Sequence, residues 1–262
     1  MTPDFGRRLR TRQALLGYWM ASDNPPAAER LAATGYDYLV LDRQHGFIDS
    51  LGSLRGLIAI DAGAAAGGTA TVGVVRVPSN TVADIGRALD AGALGVIIPL
   101  VNTPEEAEAA VRACRYPPTG VRSFGPTRSN LRVGPDLAEA NEAVGCIVMI
   151  ETGEGLANAE AICRVPGIDA VYIGPSDLSI GIGAANPAEG WATPAFAEAK
   201  DRIKAAAAAA GIGCGLHCRT GADAADALND GFTFSTVSND LTHLEVLAQQ
   251  HLAEARKAVP SS

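Results

Sequence analysis

The chain is poor in lysine. Its 262 residues include three, Lys200, Lys204 and Lys257, against eighteen arginines. All three fall in segments of helical period, so no strand-end amine is available to form a Schiff base with a carbonyl substrate. Net basic charge is also missing: a formal charge of -8 and a pI near 5.0 leave no basic stripe for phosphate contacts. Nucleic acid and anionic membrane surfaces are therefore excluded as expected partners, and a small molecule is favoured. The five cysteines are odd in number and show no short-range disulfide pattern, which points to a reducing compartment. No apolar run reaches membrane-spanning length without a charge or a Gly/Pro break, and the basic segment MTPDFGRRLRTRQALLG is followed by no apolar signal region. A soluble cytoplasmic protein is expected. There is no low-complexity linker, so one domain spanning residues 1–262 is expected.

What is present is an alternation of short apolar runs with Ala-rich segments of helical period, kept from end to end. The strand candidates are LLGYWMA (15–21), YDYLVLD (36–42), TVGVVRV (71–77), GVIIPLV (95–101), CIVMIE (146–151), AVYIGP (170–175), IGCGLHC (212–218) and FTFSTVSN (232–239). Helix patterns lie between them, beginning with PPAAERLAAT behind the cap candidate Asn24 and closing with an amphipathic segment at about 240–258. Gly35, Gly92, Gly211 and Gly231 stand where helices should stop. Eight strands, apolar on both faces and each followed by a helix, predict a (β/α)8 barrel. A doubly wound open sheet is the alternative, weakened because no G-x-G-x-x-G follows the first strand. The irregular segment at 116–136 is too long for an idle connection, so a lid or a subunit contact is expected there.

In such a barrel the active site forms where strands end and βα loops begin. Those ends carry Asp42, Arg43, Gln44 and His45 on the second strand, Arg76 on the third, Glu151 on the fifth, and Gly174, Ser176 and Asp177 after the sixth. Glu151 and Asp177, on adjacent strands at matching ends, can share one hard divalent cation; the oxygen donors favour Mg2+, Mn2+ or Co2+ over a structural zinc. IGPSDLS offers backbone N–H donors suited to a substrate carboxylate. Arg76, between Val75 and Val77, buries a charge that an anion or Asp42 or Asp90 must meet. His45 can relay a proton near neutral pH. Trp19, at the end of the first strand, either walls the pocket or fills the barrel mouth. Together these groups suit a 2-oxo acid and an enolate whose charge appears on its keto oxygen.

DRQHG after the second strand, VVRVPSN after the third, LDAGALGVIIPLVNTPEEAEAAVRACRYPPTGVRS, VMIET and YIGPSDLS, in this order and spacing, resemble the metal-dependent 2-oxo acid aldolases of the HpcH/HpaI aldolase and citrate lyase family. The resemblance runs from about Gly17 to the last helix. It implies a phosphoenolpyruvate/pyruvate-type TIM barrel and a class II aldolase activity like that of 4-hydroxy-2-oxoheptanedioate aldolase and 2-dehydro-3-deoxyglucarate aldolase. A 4-hydroxy-2-oxo acid is then cleaved reversibly to pyruvate, or a close analogue, and an aldehyde. The resemblance assigns Glu151 and Asp177 to the metal, Arg76 to pyruvate and its enolate, and His45 paired with Asp90 to the base, with Asp42 shaping the site. It also implies a homo-oligomer, a hexamer built as a dimer of trimers, whose subunits exchange the last helix.

The chain departs from the best-known members in two places. Arg43-Gln44 replaces Gly-Glu, and Met149 replaces a Gln, both beside the predicted pocket. Gln44 is expected to touch substrate, and Arg128 of GPTR is expected near the acceptor end. Two other functions remain open: a lyase acting on a CoA thioester of the citramalyl or malyl type, and a non-catalytic barrel that binds a 2-oxo acid. Cys214, His217 and Cys218 are read as core packing, because a strand puts 214 and 218 on one face and 217 on the other. His243 and His251 are read as solvated or subunit-facing.

Overall fold

A computed structural model of the chain describes residues 4–258; the ends of the expected domain, 1–3 and 259–262, lie outside the described residues. In chain order the first half holds α1 Phe5–Arg10, β1 Leu15–Met20, α2 Pro25–Ala32, β2 Tyr38–Asp42, α3 Ser50–Gly67, β3 Val72–Arg76, α4 Val82–Asp90, β4 Gly95–Ile98, α5 Pro104–Cys114, α6 Asn130–Val133 and α7 Leu137–Ala143. The second half holds β5 Gly145–Met149, α8 Gly153–Ala157, α9 Ala159–Cys163, β6 Ala170–Ile173, α10 Pro175–Gly181, α11 Pro187–Gly190, α12 Pro194–Ala210, β7 Gly213–Cys218, α13 Gly221–Asn229, β8 Phe234–Asn239 and α14 Asp240–Ala258. Each of the eight predicted runs forms a strand. All pair in parallel in the order β1 to β8, and β8 returns to β1, closing a TIM barrel.

Local chemistry sets the ends of these elements. Asn24, Asp49, Thr81, Thr103, Thr152, Thr193 and Thr220 each accept a hydrogen bond from a first-turn backbone N–H, which fixes where the helices start. The four expected stop glycines all adopt positive φ, between 74° and 101°, which residues with a Cβ reach only under strain.

The core has two layers, as period-two strands covered on both faces require. Outward residues such as Leu41, Val75, Val96, Val148, Val171 and Leu216 pack against the helices. Inward residues such as Val40, Val74, Ile97, Ile147, Tyr172 and Phe234 fill the barrel. Gly17 and Gly215 make that filling possible: a Cβ at either would stand 2.2 or 2.4 Å from the ring of Tyr38 or Phe234. The buried phenols of Tyr38 and Tyr172 are satisfied by Thr236 Oγ1 at 3.1 and 2.6 Å.

The floor of the barrel is closed by α1, a helix the sequence pattern does not announce. Phe5 and Leu9, one turn apart, are both buried there, with Phe5 5.6 Å from the Tyr38 ring. Arg10 ties the helix to Asp169 at 2.7 Å, and Arg115 holds the other oxygen of the same carboxylate at 2.7 Å.

The long irregular segment enters between α5 and β5, so it lies at the amino-terminal ends of the strands, opposite the mouth. Arg122 binds Asp90 at 2.9 Å, Arg132 binds Asp61 at 2.9 Å, and Arg128 binds Asp61 and the Ala91 carbonyl. The segment therefore cannot act as a lid over its own mouth, and Arg128 is spent on α3 and α4 rather than facing an acceptor. No described helix is long and apolar enough to cross a membrane. The closing helix α14 forms as expected.

Candidate active site

The mouth is organised around Asp42. Its carboxylate takes two hydrogen bonds from Arg76, Nε at 2.9 Å and Nη2 at 2.6 Å, with the Trp19 indole N–H at 3.2 Å. The backbone N–H groups of Gln44 and His45 add bonds at 3.0 and 3.3 Å, so the DRQHG turn is wound onto the acid that begins it. Burial alone would raise the pKa of Asp42, but the bonds and charge of Arg76, then the Gln44 N–H and the indole, hold it below the ordinary carboxylate value. Arg76 thus has a structural partner, the plainest of the sequence-based alternatives. It is only half used, however: among the described residues Nη1 makes no hydrogen bond. The guanidinium also lies 4.9 Å over the Trp19 ring, which fixes its plane. Trp19 itself is buried, 5.8 Å from the Tyr172 ring in the barrel filling.

Glu151 follows β5 and is 1% exposed. Its Oε1 accepts the Leu100 N–H at 2.8 Å, while Oε2 is buried with no hydrogen-bond partner. Leu100 delivers that N–H from a left-handed conformation, φ 55°, which costs a residue with a Cβ roughly 1–2 kcal/mol. Burial first, and then the nearby charge of Asp177, raise the Glu151 pKa to about 7 against the opposing Leu100 N–H and Arg76. Gly174 leaves the room: a Cβ there would stand 2.4 Å from Glu151 Oε2 and 2.9 Å from Met149 Cε. Asp177 is exposed in the first turn of α10, a helix that no side chain caps, with Ser176 exposed beside it. Two acids and one orphaned carboxylate oxygen fit the demand of a hard divalent cation for oxygen donors and open positions. Among the described residues no cluster of three or more His, Cys, Asp or Glu has metal-binding geometry.

The other expected residues divide by position. His45 is exposed at the mouth. Gln44 Oε1 is buried without a partner beside it, and Arg43 is drawn off to Ser50 Oγ at 2.8 Å. Asp90 ends α4 at the opposite end of the barrel, where Arg122 occupies it. The expected pairing of His45 with Asp90 is therefore not formed within one chain, because a strand and the helix that follows it run in opposite directions and carry these two residues to opposite faces.

His217 enters the mouth from β7 without having been expected there. Its ring meets Trp19 edge-on at 5.5 Å, and burial followed by the charge of Arg76 lowers its pKa to about 4. The strand alternation that separates it from Cys214 and Cys218 was already the signal, since it turns those cysteines to the helices and His217 to the barrel axis. A cavity of about 580 Å³ lies along β7 between α12 and α13, lined by Trp191, Phe196, Leu216 and Cys218, and His217 and Pro175 also border it. Neither acid of the mouth reaches it.

Comparison with known proteins places these features in context. Residues 15–245 match the family described as HpcH/HpaI aldolase/citrate lyase. A protein named hydroxypyruvate/pyruvate aldolase from Rhizorhabdus wittichii is 42% identical over 249 residues, covering 94% of this chain and 95% of its own. A protein named 5-keto-4-deoxy-D-glucarate aldolase from Escherichia coli is 36% identical over 240 residues, 90% of each chain. The crystal structure of an HpcH/HpaI aldolase/citrate lyase family protein from Burkholderia cenocepacia superimposes with a TM-score of 0.86 at 33% identity, covering 96% of this chain and 98% of the other.

Proposed function

Because this chain belongs to the HpcH/HpaI aldolase/citrate lyase family and is an aldolase, a carbon–carbon lyase, we propose that it is a divalent-metal-dependent class II enzyme. It joins pyruvate, or a hydroxylated analogue, to an aldehyde, and splits the resulting 4-hydroxy-2-oxo acid. The names of the two relatives support this substrate range. The observation that carries the reading is Glu151 Oε2, buried without a partner beside the charge of Asp177 and across the mouth from Arg76.

Glu151 and Asp177 are the residues that hold the cation. When bound, Mg2+, Mn2+ or Co2+ supplies a Lewis acid that polarises the keto group of the oxo acid. Asp42 and Trp19 keep the Arg76 guanidinium rigid, and its free Nη1 faces the keto oxygen, so negative charge arising there meets a donor that needs no reorganisation. The N–H groups of Gly174 and Ser176 hold the substrate carboxylate, and Gln44 Oε1 accepts from a substrate hydroxyl. His45, open to solvent, carries the proton of the hydroxyl released or formed as the carbon–carbon bond breaks or closes. Its pairing with Asp90, which one chain cannot make, is assigned to neighbouring copies in a homo-oligomer. The exposed leucines of α14 fit that assembly.

The test is an aldol and retro-aldol screen with pyruvate and hydroxypyruvate against a panel of aldehydes. Activity is expected to vanish with EDTA, to return with Mg2+, Mn2+ or Co2+, and to leave no adduct on borohydride treatment. Undiminished activity after metal removal overturns the mechanism.

A further inference from the structure

The mouth contains one titratable group that the chemistry above leaves idle. Alternation along β7 turns Leu216 and Cys218 to the helices and His217 to the barrel axis, level with Thr236 of β8. The imidazole stands edge-on to Trp19 at 5.5 Å, and Arg76 lies against the same indole at 4.9 Å, so His217 and Arg76 share one wall of the site. Among the described residues neither ring nitrogen makes a hydrogen bond, and neither is fully buried. With its pKa pushed down to about 4, the ring is neutral at physiological pH and presents one N–H donor and one bare acceptor nitrogen.

A largely buried ring whose nitrogens keep no protein partner offers a ligand entering the mouth two open hydrogen-bonding functions. A carboxylate has no proton for the bare nitrogen, and Arg76 offers it a better partner. A hydroxyl can bond the nitrogen it meets in either tautomer, accepting from the N–H or donating to the bare nitrogen, whereas a carboxylate can use one tautomer only. Depth decides which half of the substrate carries that hydroxyl. His217 lies on a strand rather than on a loop, and β7 pairs with β6, whose end leads into Gly174 and Ser176, the groups assigned above to the oxo acid.

We propose that His217 is a substrate-binding residue that hydrogen-bonds a hydroxyl on the carbon next to the keto group, so that the site prefers a hydroxylated 2-oxo acid to pyruvate. The inference rests on the aldolase reading above and goes further by naming the residue that selects the nucleophile.

The experiment compares wild type with His217→Phe, which keeps a flat ring and removes both hydrogen-bonding functions, and His217→Gln, which restores a donor and an acceptor. Two quantities are read for hydroxypyruvate and for pyruvate: kcat/KM with one common aldehyde, and binding by calorimetry in Mn2+. In the Phe variant the hydroxypyruvate-to-pyruvate ratio is expected to fall roughly tenfold or more. The fall should lie mainly in KM, with the binding ratio following and Gln recovering part of it. A ratio that stays put, or an equal loss for both acids, overturns the proposal. Melting curves of both variants check folding, and the Gln variant keeps the test decisive if Phe packs badly. Should wild type neither bind nor turn over either acid with any of the metals, the aldolase reading itself fails, and this is seen before any variant is made.

Discussion

Glu151 and His217 face one small mouth with opposite titration habits. Folding lifts the Glu151 pKa from 4.5 to about 7, so between these values the folded state holds the extra proton and stability falls as pH rises. Folding lowers the His217 pKa from 6.5 to about 4, so across that window the unfolded state holds the extra proton and stability falls as pH drops. Each effect spans roughly 3 kcal/mol at most, and in the metal-free protein they largely cancel from about pH 4.5 to 6.5. Single variants should uncover them. In EDTA, Glu151→Gln is expected to lose stability relative to wild type as pH is lowered from 6.5 to 4.5, and His217→Phe to gain it. Urea titrations at several pH values read the difference, and parallel curves for the two variants would contradict both shifts.

Single elements show what the sequence could and could not announce. The eight strands were legible because a parallel strand covered on both faces is apolar throughout, and polar residues such as Asp42 and Arg76 then mark its end. Helix α1 was not legible: six residues give only Phe5 and Leu9 at helical spacing, too short a pattern to separate from a basic leader. The place of the 116–136 segment was legible in principle. A segment between a helix and the next strand of a barrel must lie at the face away from the mouth, and that rules out a lid over its own site. His217 is legible from alternation alone, which turns it to the barrel axis while Cys214 and Cys218 face the helices. The unpartnered Glu151 oxygen, by contrast, depends on Gly174 and Leu100 being brought together by three strands, which no spacing reveals. For α1 the consequence is one of stability. Phe5→Ala is expected to cost about 3–5 kcal/mol by opening a void under Tyr38, without touching the mouth. A lower urea midpoint with retained kcat/KM at 25 °C checks this; a lost kcat would mean that the floor and the site are coupled.

At the scale of the whole molecule, two features stay unexplained in an isolated chain. The helix α14, about 28 Å long, is exposed from Leu241 to Lys257, with Leu241, Leu244 and Leu252 recurring on one side. Among the described residues it is fastened near its start, where Asp240 accepts the Ala21 and Ser22 N–H groups and His243 meets Tyr18 at 2.9 Å. Asp90, meanwhile, stands at the opposite face from His45. An assembly of copies answers both, because packing α14 on a neighbour buries the leucines and can bring one copy's Asp90 face to the mouth of the next. If the two residues act across a subunit boundary, variants that fail separately must complement each other. His45→Ala and Asp90→Asn are each expected to lose at least about 100-fold in kcat/KM. Co-expressed with distinguishable tags and purified as hybrids, they should regain activity at up to roughly a quarter of the sites, the fraction that receives both intact residues by chance. Hybrids confirmed by both tags yet as inactive as either parent would place Asp90 outside the proton path, and its ion pair with Arg122 would then be its whole role.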